Sequence, residues 1–82
     1  MKEKLKKAIS EELKELRSDS KKTQVEIAKI SGVDSSTIVR YERNNVIMQI
    51  DTLDKIISAY DIDIFSFFEK IIAKTHEKDK IN

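Results

Sequence analysis

Ser35, Ser36, Val39 and Arg40 lie within the segment SSTIVRYE, and Ser36 and Arg40 are four residues apart. On a helix that spacing places both on one face. Two hydroxyls, a branched apolar side chain and a planar guanidinium fork suit recognition of a polar edge. They offer nothing that makes or breaks a bond. The rest of the chain adds little chemistry of that kind. His76 is the single histidine, in the charged segment KTHEKDKIN, and there is no cysteine. One glycine cannot build a phosphate-cradling loop. The fifteen acids lie mostly among lysines on outer helical faces. No catalytic residue, no cofactor and no metal site is expected.

Several elements must hold that face in place. Thr23 to Asn44 reads as two short helices joined by a tight turn. Gln24–Ser31 carries Val25, Ile27, Ala28 and Ile30, and Gly32 follows as the only glycine. A sole glycine between two helical patterns points to a turn with positive φ. Asp34 is a good N-cap for the next helix, about 35–43, where Ile38 and Tyr41 form an inward face. Thr23 with Glu26 three residues on fits a capping box for the helix before it.

The flanking segments also read as helices. Leu5, Ile9, Leu13 and Leu16 form one stripe from about Lys2 to Arg17, and the polar run Ser18–Lys22 reads as a loop. Asn44–Gln49 is a second loop. A fourth helix spans about Asp51–Tyr60 with Leu53, Ile56, Ile57 and Tyr60 apolar. Asp63 caps a fifth, from near Ile64 to about His76. The expected fold is all-α, one compact domain of five helices over residues 1–82. Helix five is apolar on more than its core side: Phe65, Phe68 and Ile72 exceed what so small a domain covers. A homodimer through this helix, about 63–76, is the expectation. The alternative is that the polar residues 73–82 fold back over it.

Composition sets bounds. Eighty-two residues make one domain, which buries about 60% of its unfolded surface. No apolar run approaches the roughly 20 residues of a membrane span, and no signal-peptide core follows the lysine-rich start. A soluble, cytoplasmic protein with no membrane association is expected. Net charge is only +1, but residues 1–50 balance at +3 and residues 51–82 at −2. The half holding the polar recognition face is the basic half, as an electrostatic footprint on nucleic acid requires.

The whole pattern resembles the Cro/phage-repressor (XRE) family of bacterial helix-turn-helix DNA-binding proteins. Gln24, Ile27-Ala28, Gly32-Val33, Thr37-Ile38 and Tyr41-Glu42-Arg43 carry the resemblance. Asp51-Thr52-Leu53 and Ile56 extend it, so that it covers roughly residues 9–68. Three positions depart from the family's pattern. Asn44 stands where glycine is usual, Met48 where proline is usual, and Asp61 where glycine often ends the fourth helix. Asn and Asp tolerate the left-handed conformation better than most residues.

The resemblance implies a lambda-repressor-like domain and assigns roles. The second short helix becomes the recognition helix, whose first turns reach base edges in the major groove. Ser35, Ser36, Val39 and Arg40 are then the base-contacting set. Arg40 forks onto guanine O6 and N7 or, as the competing reading, meets a phosphate. Val39 touches a thymine methyl, and the short serines reach through water. Thr23, Gln24, Thr37, Arg43, Asn44 and Asn45 are set against the DNA backbone, with Gln24 as a clamp at a helix start. Arg17 and Glu42 match a structural ion pair of the family.

The expected function is a homodimeric, sequence-specific transcription regulator on a roughly palindromic operator, with no small-molecule ligand. Length, the Glu42-Arg43-Asn44 junction and the Phe67-Phe68 run look like the controller proteins of restriction–modification systems. A phage or mobile-element repressor is the near alternative. An antitoxin-like module that binds a protein, and a small acid–base enzyme, are the readings from other classes.

Overall fold

A computed structural model describes residues 2–44 and 47–81, with side-chain surroundings for 3–44 and 47–75. Five helices follow in order among the described residues: α1 (Lys2–Ser20), α2 (Gln24–Ser31), α3 (Ser35–Glu42), α4 (Ile50–Ser58) and α5 (Ile64–Ile81). The core is a single cluster to which every helix contributes. Ile9, Leu13 and Leu16 come from α1, Ile27 from α2, and Ile38 and Tyr41 from α3. Leu53, Ile56 and Ile57 of α4 meet Phe67 and Ile71 of α5. Burying such side chains contributes about 1.5–3 kcal/mol each before ordering costs are set against it. The helices α2 and α3 have eight residues each, too short to persist alone. Packing against α1 and α4 therefore holds them.

Local signals explain most helix ends. Thr23 caps α2 with a full capping box: Glu26 N donates to Thr23 Oγ1 at 3.1 Å and Thr23 N donates to Glu26 Oε1 at 2.9 Å. That bond holds the Glu26 carboxyl below the usual carboxylate range. Gly32 ends the helix with φ 75° and donates to Ala28 O at 2.9 Å. Asn44 and Asp61 have φ 56° and 59°. Both family departures at glycine positions thus adopt the conformation glycine would supply. Lys21 has φ 58° as well, at a position the sequence did not mark.

Several expected boundaries move. The polar run Ser18–Ser20 continues α1 for another turn instead of forming a loop, because the stop is the left-handed Lys21. Helix α3 ends at Glu42, one residue early, and α4 runs Ile50–Ser58 rather than Asp51–Tyr60. The helix α5 continues to Ile81, so residues 73–81 do not fold back over its apolar side. Leu5 does not complete the α1 stripe: it is 49% exposed, and Val25 and Ile30 of α2 are exposed too. Each lies on an amphipathic stripe wider than its neighbours cover.

Glu12 is a departure of another kind. It is 2% exposed and accepts from Lys74 Nζ at 2.6 Å, while the exposed Glu15 accepts from the same ammonium at 2.7 Å. These bonds raise the Lys74 pKa above the ordinary lysine value. The cluster ties α5 to α1 far along both helices. Replacing Lys74 by Met keeps the aliphatic stem but leaves the Glu12 charge uncompensated. Lys74→Met should lower stability by about 1–3 kcal/mol in urea unfolding. The double change with Glu12→Gln should recover much of the loss; failure to do so would mean that the ammonium does not compensate Glu12.

Candidate nucleic-acid interface

The outward face of α3 starts at its cap. Asp34 Oδ2 accepts from Ser36 N at 3.1 Å and also from the Ser36 hydroxyl. These two bonds, reinforced by the charge of Arg40, hold the Asp34 carboxyl below the usual range. Ile38 and Tyr41 are buried and fix the rotation of the helix. The Tyr41 hydroxyl accepts from Gln49 N at 2.9 Å, and the Tyr41 carbonyl accepts from the buried Ser10 Oγ at 2.7 Å. With that side locked inward, Ser36 and Arg40 are exposed, and Ser35, Thr37 and Val39 are half-buried beside them. The four residues expected on this face are thus brought together along one short helix.

A second cluster holds α3 to the rest of the domain. Glu42 is 4% exposed at the end of α3. Its Oε1 and Oε2 accept from Arg17 Nε at 3.1 and 2.9 Å, and Oε1 accepts from Arg17 Nη2 at 3.0 Å. This pairing raises the Arg17 pKa further above its ordinary value. Gln24 Nε2 also donates to Glu42 Oε1, at 3.2 Å. One carboxylate therefore joins the last part of α1, the first residue of α2 and the last residue of α3. Tyr60 lies in the same field. Burial, reinforced by Glu42 and offset by Arg17, pushes its phenol up to about 12.

The start of α2 can be counted donor by donor. The capping box uses Thr23 N and Glu26 N, and Ile27 N donates to Thr23 O at 3.1 Å. The N–H groups of Gln24 and Val25 have no partner among the described residues. They are the free donors of the helix start, next to a Gln24 amide already oriented by Glu42. Arg43 is exposed just past α3. Asn44 is half-buried, and its Oδ1 is buried with no partner among the described residues. Asn45 lies outside the described residues, and so do the side-chain surroundings of His76.

Sequence reasoning missed the third arm of the Glu42 cluster, the buried Ser10 and the Glu12–Lys74 contact. Gln24 and Glu42 are eighteen residues apart, and no periodicity links residues on different helices. Ser10 carried a weak sign, since it adjoins the Ile9 stripe in the chain. Among the described residues, no group of three or more His, Asp or Glu is arranged to hold a metal ion. No helix among them is long and apolar enough to cross a membrane.

The helix-turn-helix family model matches residues 13–67. This chain belongs to the helix-turn-helix family. The match spans α1 from Leu13 through the first turn of α5, so it includes both the outward face of α3 and the Glu42 cluster. Solved structures agree with this helix-turn-helix assignment. The Restriction-Modification Controller Protein C.Esp1396I tetramer, in complex with its natural 35 base-pair operator, is 29% identical. That match covers 84% of this chain and 91% of the controller chain, with a TM-score of 0.79. The wild-type form of the same controller protein is 27% identical, covering 89% and 95% of the two chains with a TM-score of 0.81. No curated protein sequence matches the chain.

The Glu42 cluster makes an asymmetric prediction. Arg17→Ala leaves a carboxylate that is almost fully buried with only the Gln24 amide. Glu42→Gln leaves a guanidinium that is partly exposed and still solvated. Arg17→Ala should therefore be the more destabilising, by about 2–4 kcal/mol against about 1–2 for Glu42→Gln. Chemical denaturation of the two variants compares them directly, and the reverse order would contradict the burial argument.

Proposed function

We propose that this protein is a homodimeric, sequence-specific DNA-binding transcription regulator. It reads a roughly palindromic operator with one α3 per half-site. The observation that carries this is the rotation of α3. Ile38 and Tyr41 are locked in the core while Ser36 and Arg40 face outward on a helix whose dimensions suit the major groove. Family membership and similarity to an operator-bound controller protein support the same reading. Within it, a restriction–modification controller role is the specific proposal, because the solved relatives are controller proteins and the likeness covers 84% and 89% of this chain in the two structures.

The reading assigns these contacts. Ser35, Ser36, Val39 and Arg40 meet base edges. Gln24, its free helix-start N–H groups, Thr23 and Thr37 meet one phosphate strand, and Arg43, Asn44 and Asn45 meet the other side of the groove. Dimerisation uses α5. Phe65 is 75% exposed and Ile72 54% exposed, seven residues apart on one stripe with the half-buried Phe68 between them. Residues 73–81 continue the helix and leave that stripe to a second copy. Such a regulator works in the bacterial cytoplasm, on the nucleoid when bound.

Two experiments test the reading. Arg40→Ala should weaken binding to the preferred operator by about 1–3 kcal/mol and random DNA much less. Arg40→Lys keeps the charge and loses the planar fork. Full recovery of affinity and base preference by lysine would assign Arg40 to phosphate. Phe65→Glu should shift the protein toward monomer in sedimentation and weaken operator binding through lost bivalency. An unchanged dimer with unchanged affinity would remove Phe65 from the interface.

A further inference from the structure

Every donor that Ser36 owns points at Asp34. Its backbone N–H donates to Asp34 Oδ2 at 3.1 Å, and its hydroxyl donates to the same oxygen. The direction of the second bond is fixed by chemistry. An ionised carboxylate has no hydrogen, so the shared proton is the serine's. What remains to face outward is the lone-pair side of Ser36 Oγ and the other carboxylate oxygen, Asp34 Oδ1. Both residues are exposed. Among the described residues no donor reaches Asp34 Oδ1.

The consequence is a face divided by hydrogen-bond polarity. The Asp34–Ser36 pair at the start of α3 presents acceptors, and Arg40, one turn further on, presents donors only. A carboxylate is repelled by phosphate, so this end of the helix suits the groove floor rather than the backbone. In the major groove the hydrogen-bond donors on base edges are the exocyclic amino groups, adenine N6 and cytosine N4. Guanine N7 and O6 and thymine O4 only accept. Resting on the DNA-binding reading above, we propose that the Asp34–Ser36 pair is an acceptor-only reader that selects an amino group at one position of each half-site. The base contacted there is adenine or cytosine. Guanine or thymine at that place sets a carbonyl against acceptors that have no proton to offer.

The test is selection of binding sites from a library of random DNA duplexes by the unaltered protein, Ser36→Ala and Asp34→Ser. The unaltered protein should select adenine or cytosine at one position per half-site, symmetrically. Ser36→Ala should lose preference at that position and keep the others. Asp34→Ser retains a capping hydroxyl but no longer holds the Ser36 proton as a carboxylate does, so guanine or thymine should become tolerated there. A duplex in which the selected adenine is replaced by unsubstituted purine, or the selected cytosine by pyrimidin-2-one, lacks only the amino group. Its affinity for the unaltered protein should fall about three- to tenfold, the range of one net hydrogen bond. Its affinity for Ser36→Ala should not change. Selection of guanine or thymine at the Ser36-dependent position would overturn the proposal, because the hydroxyl would then have turned to donate. So would a site preference that Ser36→Ala leaves intact, which reduces the pair to a helix cap. In either case an unchanged effect of Arg40→Ala leaves the regulator reading standing. Recovery of no preferred sequence by the unaltered protein would overturn both.

Discussion

The Glu42 carboxylate is the point on which the placement of the outward face of α3 depends. It is almost fully buried, and it survives there because Arg17 and Gln24 donate three nitrogens to its two oxygens. A buried charge without such partners would cost several kcal/mol. The carboxylate and its two partners come from three helices, so the charge can be satisfied in only one arrangement of them. That arrangement sets where α2 begins relative to where α3 ends. Two eight-residue helices could not hold this relation through propensity; core packing and this cluster hold it together. The same contact orients the Gln24 amide beside the free N–H groups of α2.

Backbone geometry adds a second constraint. The chain has one glycine and no proline, yet each of the first four helices is followed within three residues by a left-handed residue. These are Lys21, Gly32, Asn44 and Asp61. For residues other than glycine this conformation costs roughly 1–2 kcal/mol, less for Asn and Asp. The tertiary fold offsets that cost. Gly32 stands at the three-residue turn between α2 and α3. An added Cβ there would meet nothing, so the requirement for glycine lies in the backbone angle alone.

The far end of the domain is organised by another buried carboxylate. Glu12 and Glu15 hold the Lys74 ammonium, so α5 is fixed to α1 well beyond its first turn. Phe67 and Ile71 face the core as a result, and Phe67 packs edge-on against Phe68 with ring centroids 5.6 Å apart. Phe65 and Ile72 are turned outward by the same rotation. A helix pinned in this way presents its apolar stripe on a rigid base, as the proposed dimer requires.

Much of this protein was determined locally. The capping box at Thr23 and Glu26, the cap at Asp34, the turn at Gly32 and the inward pair Ile38 and Tyr41 each depend on residues within a few positions of one another. Spacing and residue type therefore revealed them, and with them the identity of the outward face. Asn44 and Asp61 were also legible, because their side chains mark them as tolerant of the left-handed region. The extension of α1 to Ser20 was not, since lysine carries no such mark. What only the tertiary structure decided are contacts between residues far apart in the chain: Gln24 with Glu42, Ser10 with Tyr41, Glu12 with Lys74. Helical periodicity states which side of a helix is apolar, but not which part of that side finds a neighbour. Leu5, Val25 and Ile30 are exposed for that reason, and the same limit kept the burial of Glu12 out of sight until the helices were packed.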